Sequence, residues 1–175
     1  MLAGADAASP ALLIVQHMPP RFTRALAERL DALGGLRVCE AEDGVRLRDG
    51  TAYVAPGGRH LRVRREEAGF VIQLKDGPAV HRQRPSVDVL FDSLAECAGA
   101  DATGILLTGM GADGARGLLA MREAGARTIA QDEESSTVFG MPREAIELGA
   151  AEQVLPLGEI AQHLAAPAGG VGSAR

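Results

Sequence analysis

Two residues capable of acid–base chemistry, His17 and Asp113, each follow an apolar run that ends abruptly. The run 11–15 leads into Gln16-His17-Met18, and the run 105–107 leads through a glycine-rich loop to Asp113. Short apolar runs of this kind are typical of buried parallel strands. Because catalytic side chains collect at the carboxyl ends of such strands, the spacing predicts a cleft that both residues serve.

The loop 109–114, Gly-Met-Gly-Ala-Asp-Gly, has three interpretations. It matches the G-x-G-x-x-G dinucleotide fingerprint, and acidic residues at 132–134 follow at the distance of a ribose-binding acid. Against this, Asp113 would bring negative charge to the helix N-terminus where a pyrophosphate should lie. Alternatively, Asp113 orients a histidine as the carboxylate of a hydrolytic triad. Its third possible role is that of a helix cap.

Length, composition and net charge limit the kinds of protein that this sequence can encode. With 175 residues, 46% of them hydrophobic, the chain can bury one sizeable core. We expect one domain over 1–164 and a disordered tail over 165–175, which is rich in Ala and Gly. The net charge of −5 argues against nucleic-acid binding, and the basic stretch 59–65 runs directly into two glutamates. No apolar run approaches transmembrane length, so no membrane insertion is expected.

The cysteines and histidines indicate no metal centre and no cofactor. Cys39 and Cys97 lack both a pairing pattern and metal-ligand spacing, which suits a reducing cytoplasm. We expect both thiols to be small buried groups. His60 and His81 are predicted to lie on loops.

Alternating strands and helices predict an α/β fold, a doubly wound and mainly parallel sheet with helices on both faces and an inserted antiparallel hairpin. The predicted strands are 11–15, 37–42, 51–55, 105–107, 128–131 and 153–156, the hairpin joins 60–63 to 70–74, and the helices are 21–33, 86–97, one following the central loop, 142–148 and 158–164.

Five strings together resemble the catalytic domain of the chemotaxis protein-glutamate methylesterases, the CheB family. In order, they are Val-Gln-His-Met-Pro at 15–19, Tyr-Val-Ala-Pro-Gly-Gly at 53–58, Arg-Pro-Ser-Val-Asp-Val-Leu-Phe at 84–91, Leu-Thr-Gly-Met-Gly-Ala-Asp-Gly at 107–114 and Phe-Gly-Met-Pro at 139–142. The resemblance covers about residues 10–164.

The resemblance implies a serine hydrolase that removes methyl esters from glutamates on chemoreceptor cytoplasmic domains and deamidates receptor glutamines. By motif, His17 matches the general base and Asp113 the triad carboxylate. Met110 and Gly111 lie where the family lines the oxyanion region or cleft. The implied protein is cytoplasmic and needs no cofactor, and a receiver domain acting in trans would be a further partner.

One family feature has no counterpart in this sequence. The family's nucleophile lies in a Gly-x-Ser-Thr-Gly-Gly motif before the strand that carries the histidine, and no Ser-Thr-Gly-Gly occurs here. We therefore expect the true start, with that motif, to lie upstream of Met1. The alternative is a catalytically inactive module that binds receptors or regulates them. Without the motif's strand, we expect the chain alone to be poorly stable or prone to aggregation.

No serine of the chain is predicted to replace the missing nucleophile. Ser9 is expected in a connecting loop, and Ser86 is expected as a helix N-cap after Pro85. Ser135 and Ser136 follow a predicted strand and could line the cleft, as substrate contacts rather than as attacking groups.

Overall fold

A computed structural model of the protein describes residues 2–164, so the predicted tail, 165–175, lies outside the described residues. The strands are β1 Leu12–Ile14, β2 Arg37–Glu40, β3 Thr51–Val54, β4 His60–Glu66, β5 Gly69–Lys75, β6 Thr103–Leu106, β7 Arg127–Gln131 and β8 Gln153–Leu155. The helices are α1 Pro20–Asp31, α2 Val87–Cys97, α3 Ala115–Glu123, α4 Met141–Glu147 and α5 Leu157–His163, with short 3-10 turns at Leu2–Gly4 and Gly99–Asp101.

The parallel strands form two three-stranded sheets, in the orders β1-β3-β2 and β6-β7-β8. Every pairing in both sheets is parallel, and the inserted hairpin β4–β5 is antiparallel. The predicted α/β class, with mainly parallel strands, is thereby confirmed. The division into two sheets was not predicted, because a periodic pattern locates strands without specifying which of them pair.

Helices cover both faces of the parallel strands, as the side-chain alternation of β3 illustrates. Ala52 and Val54 pack into a core with Ala27 of α1, whereas Tyr53 packs on the other face with Leu106 and residues of α2 and α3. Successive residues of a strand point to opposite faces, so a fully buried strand such as β3 must supply both cores.

The hairpin β4–β5 packs on α2, and each of its three arginines forms an ion pair. Arg62 pairs with Glu96 of α2 at 2.8 Å, and Arg65 pairs with Asp101 at 2.7 Å. Arg64 pairs with Glu66 on its own strand. This pairing agrees with the sequence-based interpretation that the basic stretch is a solvated edge.

A groove separates the two sheets. Within residues 2–164, no strand pairs with the second edge of β1 or of β6. These two edges line a cavity of about 560 Å³, bounded by Leu13, Ile105 and Leu107, with His17 and Gly109 at one end. The predicted strand over 11–15 is present as β1, but it is only partly buried rather than buried, because its outer edge faces this groove.

No helix among residues 2–164 is long and apolar enough to cross a membrane.

Candidate active site

The carboxyl ends of β1 and β6 bring the two predicted residues together. His17 follows β1 by three positions, and Asp113 lies at the end of the loop that follows β6. Nε2 of His17 lies 2.7 Å from Oδ2 of Asp113, although 96 positions separate them in the chain. The Asp113 side chain is 2% exposed and that of His17 is 19% exposed. The carboxylate is therefore shielded from water, while the imidazole reaches the groove.

Three donors besides His17 surround the Asp113 carboxylate. The Ser86 hydroxyl donates to Oδ1 at 2.6 Å, and the backbone N–H groups of Val87 and Asp88 donate at 2.8 and 3.1 Å. Burial by itself raises the pKa of Asp113, but the hydrogen bonds from His17, Ser86, Val87 and Asp88 outweigh it and hold that pKa below the ordinary value. Asp113 is therefore an ionised carboxylate that can orient the imidazole ring of His17.

Asp113 also caps a helix, but not the helix that follows it. It accepts the first N–H groups of α2, whereas the N-cap of α3 is Gly114, whose left-handed φ of 89° is one that residues with a Cβ rarely adopt. The predicted N-cap position of Ser86 is confirmed, but the usual capping bond is not made. Ser86 stands at the N-cap position of α2, but its hydroxyl makes no bond to its own helix. The carboxylate is the stronger acceptor for those N–H groups, and the hydroxyl donates to it.

The loops after β6 and β7 are joined by backbone hydrogen bonds beside His17 and Asp113. The Gly109 N–H donates to the Val138 carbonyl at 3.0 Å, and the Met141 N–H donates to the Gly109 carbonyl at 2.8 Å. Thr108 exchanges two side-chain bonds with Val138. The buried amide of Gln131 accepts the Thr108 N–H at 2.9 Å, a contact that no sequence pattern indicated.

Met110 and Gly111, the residues assigned to the cleft, project from this joined loop. The Met110 side chain is 81% exposed, and Gly111 has a φ of 94°. Across the described part of the chain, neither backbone N–H donates to a protein acceptor. Both groups are thus available to a ligand oxygen.

None of the four candidate serines hydrogen-bonds to His17, and the Ser86 hydroxyl donates to Asp113 instead. The buried Ser9 hydroxyl accepts the Asp6 N–H at 2.9 Å. The Ser135 hydroxyl donates to Asp132 Oδ1 and the Ser136 hydroxyl to the Asp132 carbonyl, both at 2.6 Å. Hydrogen bonds to local groups thus hold all three hydroxyls away from the imidazole.

A second histidine–carboxylate pair, which no sequence pattern predicted, lies behind Asp113. Nε2 of His81 lies 2.8 Å from Oδ2 of the buried Asp88, whose Oδ1 accepts the Gly117 N–H at 2.7 Å. Three atoms that could ligate a metal ion, one each from His81, Asp88 and Asp113, lie within 4.8 Å of one another. Hydrogen bonds already engage the oxygens of both carboxylates. The only signal in the sequence was Asp88 within the motif 84–91.

Two further predictions are corrected. His60 is not on a loop, because it begins β4 and is 4% exposed. Its ring contacts the Pro78 carbonyl at 3.0 Å and accepts the Ser86 N–H at 3.3 Å.

Cys39 and Cys97 are half-buried rather than buried. Desolvation nevertheless raises the pKa of both thiols.

The dinucleotide interpretation does not fit this geometry. A pyrophosphate needs free N–H groups and positive potential where the loop meets its helix. The buried carboxylate of Asp113 occupies that junction, and the Gly109 N–H is engaged by Val138.

Comparison with known proteins identifies relatives of the whole domain. A family model described as CheB methylesterase matches residues 1–164. The chain is 60% identical over 157 residues to a protein-glutamate methylesterase/protein-glutamine glutaminase of Bordetella parapertussis and 58% identical over 158 residues to one of Escherichia coli. These alignments cover 89% and 90% of the chain but 45% of each relative, so the chain spans about half the length of these proteins.

A solved structure agrees with the fold. The crystal structure of the Thermotoga maritima CheB methylesterase catalytic domain superposes with a TM-score of 0.90 at 39% sequence identity. The superposition covers 94% of this chain and 87% of that one.

Proposed function

Because this chain belongs to the CheB methylesterase family, we propose that it supplies the base and the carboxylate of an esterase that hydrolyses glutamyl methyl esters. The observation that carries the proposal is the 2.7 Å contact between His17 and the buried Asp113. The name of the relatives supports this substrate class, and adds deamidation of protein glutamines.

The chemistry is acyl transfer through a serine. Since Nε2 of His17 is engaged by Asp113, Nδ1 is the nitrogen that accepts the serine proton as the oxygen attacks the ester carbonyl. Asp113 stabilises the imidazolium that forms. His17 then returns the proton to the methoxy oxygen, methanol leaves, and an acyl-enzyme remains. Water, deprotonated by His17, hydrolyses that ester and regenerates the serine.

The serine comes, in this proposal, from an extended segment that lies in the groove between β1 and β6. Such a segment would satisfy both free edges and end beside His17, which bounds the groove. The family's Gly-x-Ser-Thr-Gly-Gly motif has the composition of a strand end followed by a tight turn. An upstream segment of the same polypeptide or a separate chain could supply it.

The oxyanion is assigned to the loop that carries Met110 and Gly111. Their N–H groups have no protein acceptor in residues 2–164, and donors aimed at the developing charge are a large part of acyl-transfer catalysis. The exposed Met110 side chain is positioned to contact the substrate chain.

The proposed substrates are the methylated cytoplasmic domains of chemoreceptors, which places the reaction in the cytoplasm. A receiver domain acting in trans is the proposed regulatory partner. These assignments follow from the family.

The test measures methanol release from a methylated receptor domain by the protein isolated from its native cells. Substitutions His17→Ala and Asp113→Asn should each lower kcat by about 10³- to 10⁴-fold while receptor binding persists. A single observation favours a second candidate, a receptor-binding module, since no serine in residues 2–164 contacts His17. Receptor binding without methanol release by the unsubstituted protein would support that module and overturn the esterase.

A further inference from the structure

The carboxylates of Asp88 and Asp113 cap each other's helices. Asp113, just before α3, accepts the N–H groups of Val87 and Asp88 at the start of α2. In return Asp88, in the first turn of α2, accepts the Gly117 N–H in the first turn of α3 at 2.7 Å. Each acid thus satisfies N–H groups that the other helix leaves without an internal partner. The two helices are fastened at the ends that hold the triad carboxylate.

Close contact between α2 and α3 makes this exchange possible. A Cβ added at Gly117 would lie 2.7 Å from the Phe91 Cβ and 3.0 Å from the Asp88 Cα. Real Cβ atoms do not approach carbon that closely, so only glycine lets the Gly117 N–H reach the Asp88 carboxylate.

His81 contacts Asp88 from a backbone conformation that residues with a Cβ rarely adopt. His81 and Arg82 have φ values of 50° and 62°, and the flanking residues Val80 and Gln83 exchange two backbone hydrogen bonds. Two-residue turns with positive φ at both central positions favour Asn-Gly. Left-handed residues with side chains persist where surrounding contacts over-determine them. Here the contact is Nε2 of His81 on Asp88 Oδ2, at 2.8 Å.

The hydrogen bond from His81 offsets the electrostatic cost of burying the Asp88 carboxylate. The Asp88 side chain is 8% exposed, and its carboxylate lies near that of the buried Asp113. Two buried carboxylates repel one another, and each needs its own donors to remain in place. Asp113 has four donors, whereas Asp88 has the Gly117 N–H and His81.

We propose that Asp88, held by His81, is a positioning residue for the His17–Asp113 pair. Without its carboxylate, the bond from the Gly117 N–H of α3 to the first turn of α2 would be lost. The N–H groups of Val87 and Asp88 would then shift relative to Asp113. The ring of His17 would lose its fixed orientation. The catalytic consequence rests on the proposed esterase function, whereas the geometric consequence does not.

The geometric test follows the ring N–H resonance that His17 shares with Asp113, by ¹⁵N-edited imidazole spectra. In Asp88→Ala, we expect this resonance to lose its downfield position or to broaden through exchange with water. Asp88→Asn, which keeps an oxygen for the Gly117 N–H, should retain part of the signature. His81→Ala should change it in the same direction as Asp88→Ala, but less.

Two control variants separate positioning from general destabilisation. Asp31 also accepts a backbone N–H at 2.7 Å, that of Val38, but it ends α1 on the side away from His17. Asp31→Ala should leave the His17 resonance unchanged. Arg82→Gly relieves the turn without removing a contact to Asp88, and should also leave it unchanged. An unaltered His17 signature in folded Asp88→Ala would overturn the proposal. If that variant does not fold, an unaltered signature in both Asp88→Asn and His81→Ala would do so.

The kinetic test uses the protein from native cells once its methanol release is established. Asp88→Ala should lower kcat by about 10- to 100-fold with little change in KM, because misorientation affects the transition state more than binding. A wild-type protein that releases no methanol would refute the esterase function but leave the spectroscopic test decisive for Asp88.

Discussion

The Ser86 hydroxyl donates to Asp113 Oδ1 at 2.6 Å, on the carboxylate oxygen that His17 does not use. A serine at a helix N-cap ordinarily accepts an N–H of its own helix. Here the carboxylate takes that role, and the serine supplies a hydrogen bond that favours the ionised form of Asp113.

Replacing Ser86 should therefore cost stability in a pH-dependent way. Ser86→Ala removes a buried donor to a charged group, for which we expect a loss of about 1.5–3 kcal/mol in the free energy of unfolding at neutral pH. The loss should shrink as the pH falls through the folded-state pKa of Asp113, which lies below the ordinary value of a carboxyl group. Chemical denaturation at neutral and at strongly acid pH measures both effects.

Ser93 provides a matched control on the same helix. It is fully buried, donates to the Leu90 carbonyl at 2.7 Å and accepts the Val63 N–H at 3.0 Å, and no carboxylate of residues 2–164 bonds to it. Ser93→Ala should be destabilised equally at both pH values. An equal loss for Ser86→Ala at neutral and acid pH would contradict its proposed role.

The depressed pKa of Asp113 predicts a specific acid sensitivity. A carboxyl group whose pKa is lowered by folding contributes stability above its unfolded-state pKa, and loses that contribution as the pH falls through the folded-state pKa. We expect the free energy of unfolding to decrease below about pH 4, and Asp113→Asn to show a weaker decrease. Denaturant titrations at a series of pH values measure this slope.

Asp92 should behave in the opposite sense. Asp92 lies at the surface, but partial desolvation by its surroundings, with the neighbouring Asp88 and Glu96, raises the pKa of Asp92, and Arg62 only partly offsets this. Its contribution is present below the unfolded-state pKa and lost as the pH rises through the folded-state pKa. Asp92→Asn should therefore lose stability more steeply on acidification than the unsubstituted protein. Parallel slopes for the Asn variants of Asp92 and Asp113 would refute both assignments.

Local patterns predicted the elements and the strand ends, but not the contacts between them. Apolar runs in the sequence located β1 and β6, and this location was enough to place His17 and Asp113 at strand ends. No local pattern can show that two residues 96 positions apart in the chain are in contact. The 2.7 Å distance depends on how the two sheets pack.

The supporting residues were missed for a related physical reason. Ser86 and Asp88 have the residue types of an ordinary helix start, and nothing local indicates that they serve a carboxylate 25 to 27 positions away. His60 and Gln131 are polar residues that are tolerated in the core because they have partners there. The partner, rather than the residue type, decides their burial.

Because α2 and α3 approach closely at Gly117, we expect alanine at this position to lower the free energy of unfolding. Gly117→Ala would force the helices apart, because its Cβ would meet Phe91 and Asp88. We expect a loss of about 1–3 kcal/mol in the free energy of unfolding. Gly158, inside α5, is the control, since a Cβ there meets nothing within 4 Å. Gly158→Ala should gain about 0.5 kcal/mol, and a neutral Gly117→Ala would show that α2 and α3 can separate freely.

The groove between β1 and β6 predicts that an added strand stabilises this protein. Among residues 2–164, the outer edges of β1 and β6 have no strand partner, so we expect the 175-residue chain alone to melt broadly or aggregate. A peptide of about five apolar residues followed by Gly-x-Ser-Thr-Gly-Gly should pair with both edges. At 100 times its Kd it would add about 2.7 kcal/mol to the free energy of unfolding.

Hydrogen exchange and thermal melting measure that effect together. Amides of β1 and β6 should gain protection when the peptide binds, while those of β4 and β5 should not, because their hairpin is already paired. A peptide with proline at its central positions cannot complete the ladder and should have no effect. Under the proposed esterase function, the serine peptide should also produce methanol release from a methylated receptor domain, and its alanine counterpart should stabilise the protein without producing it. A sharp cooperative melt of the chain alone, unchanged by saturating peptide, would mean that the groove needs no strand.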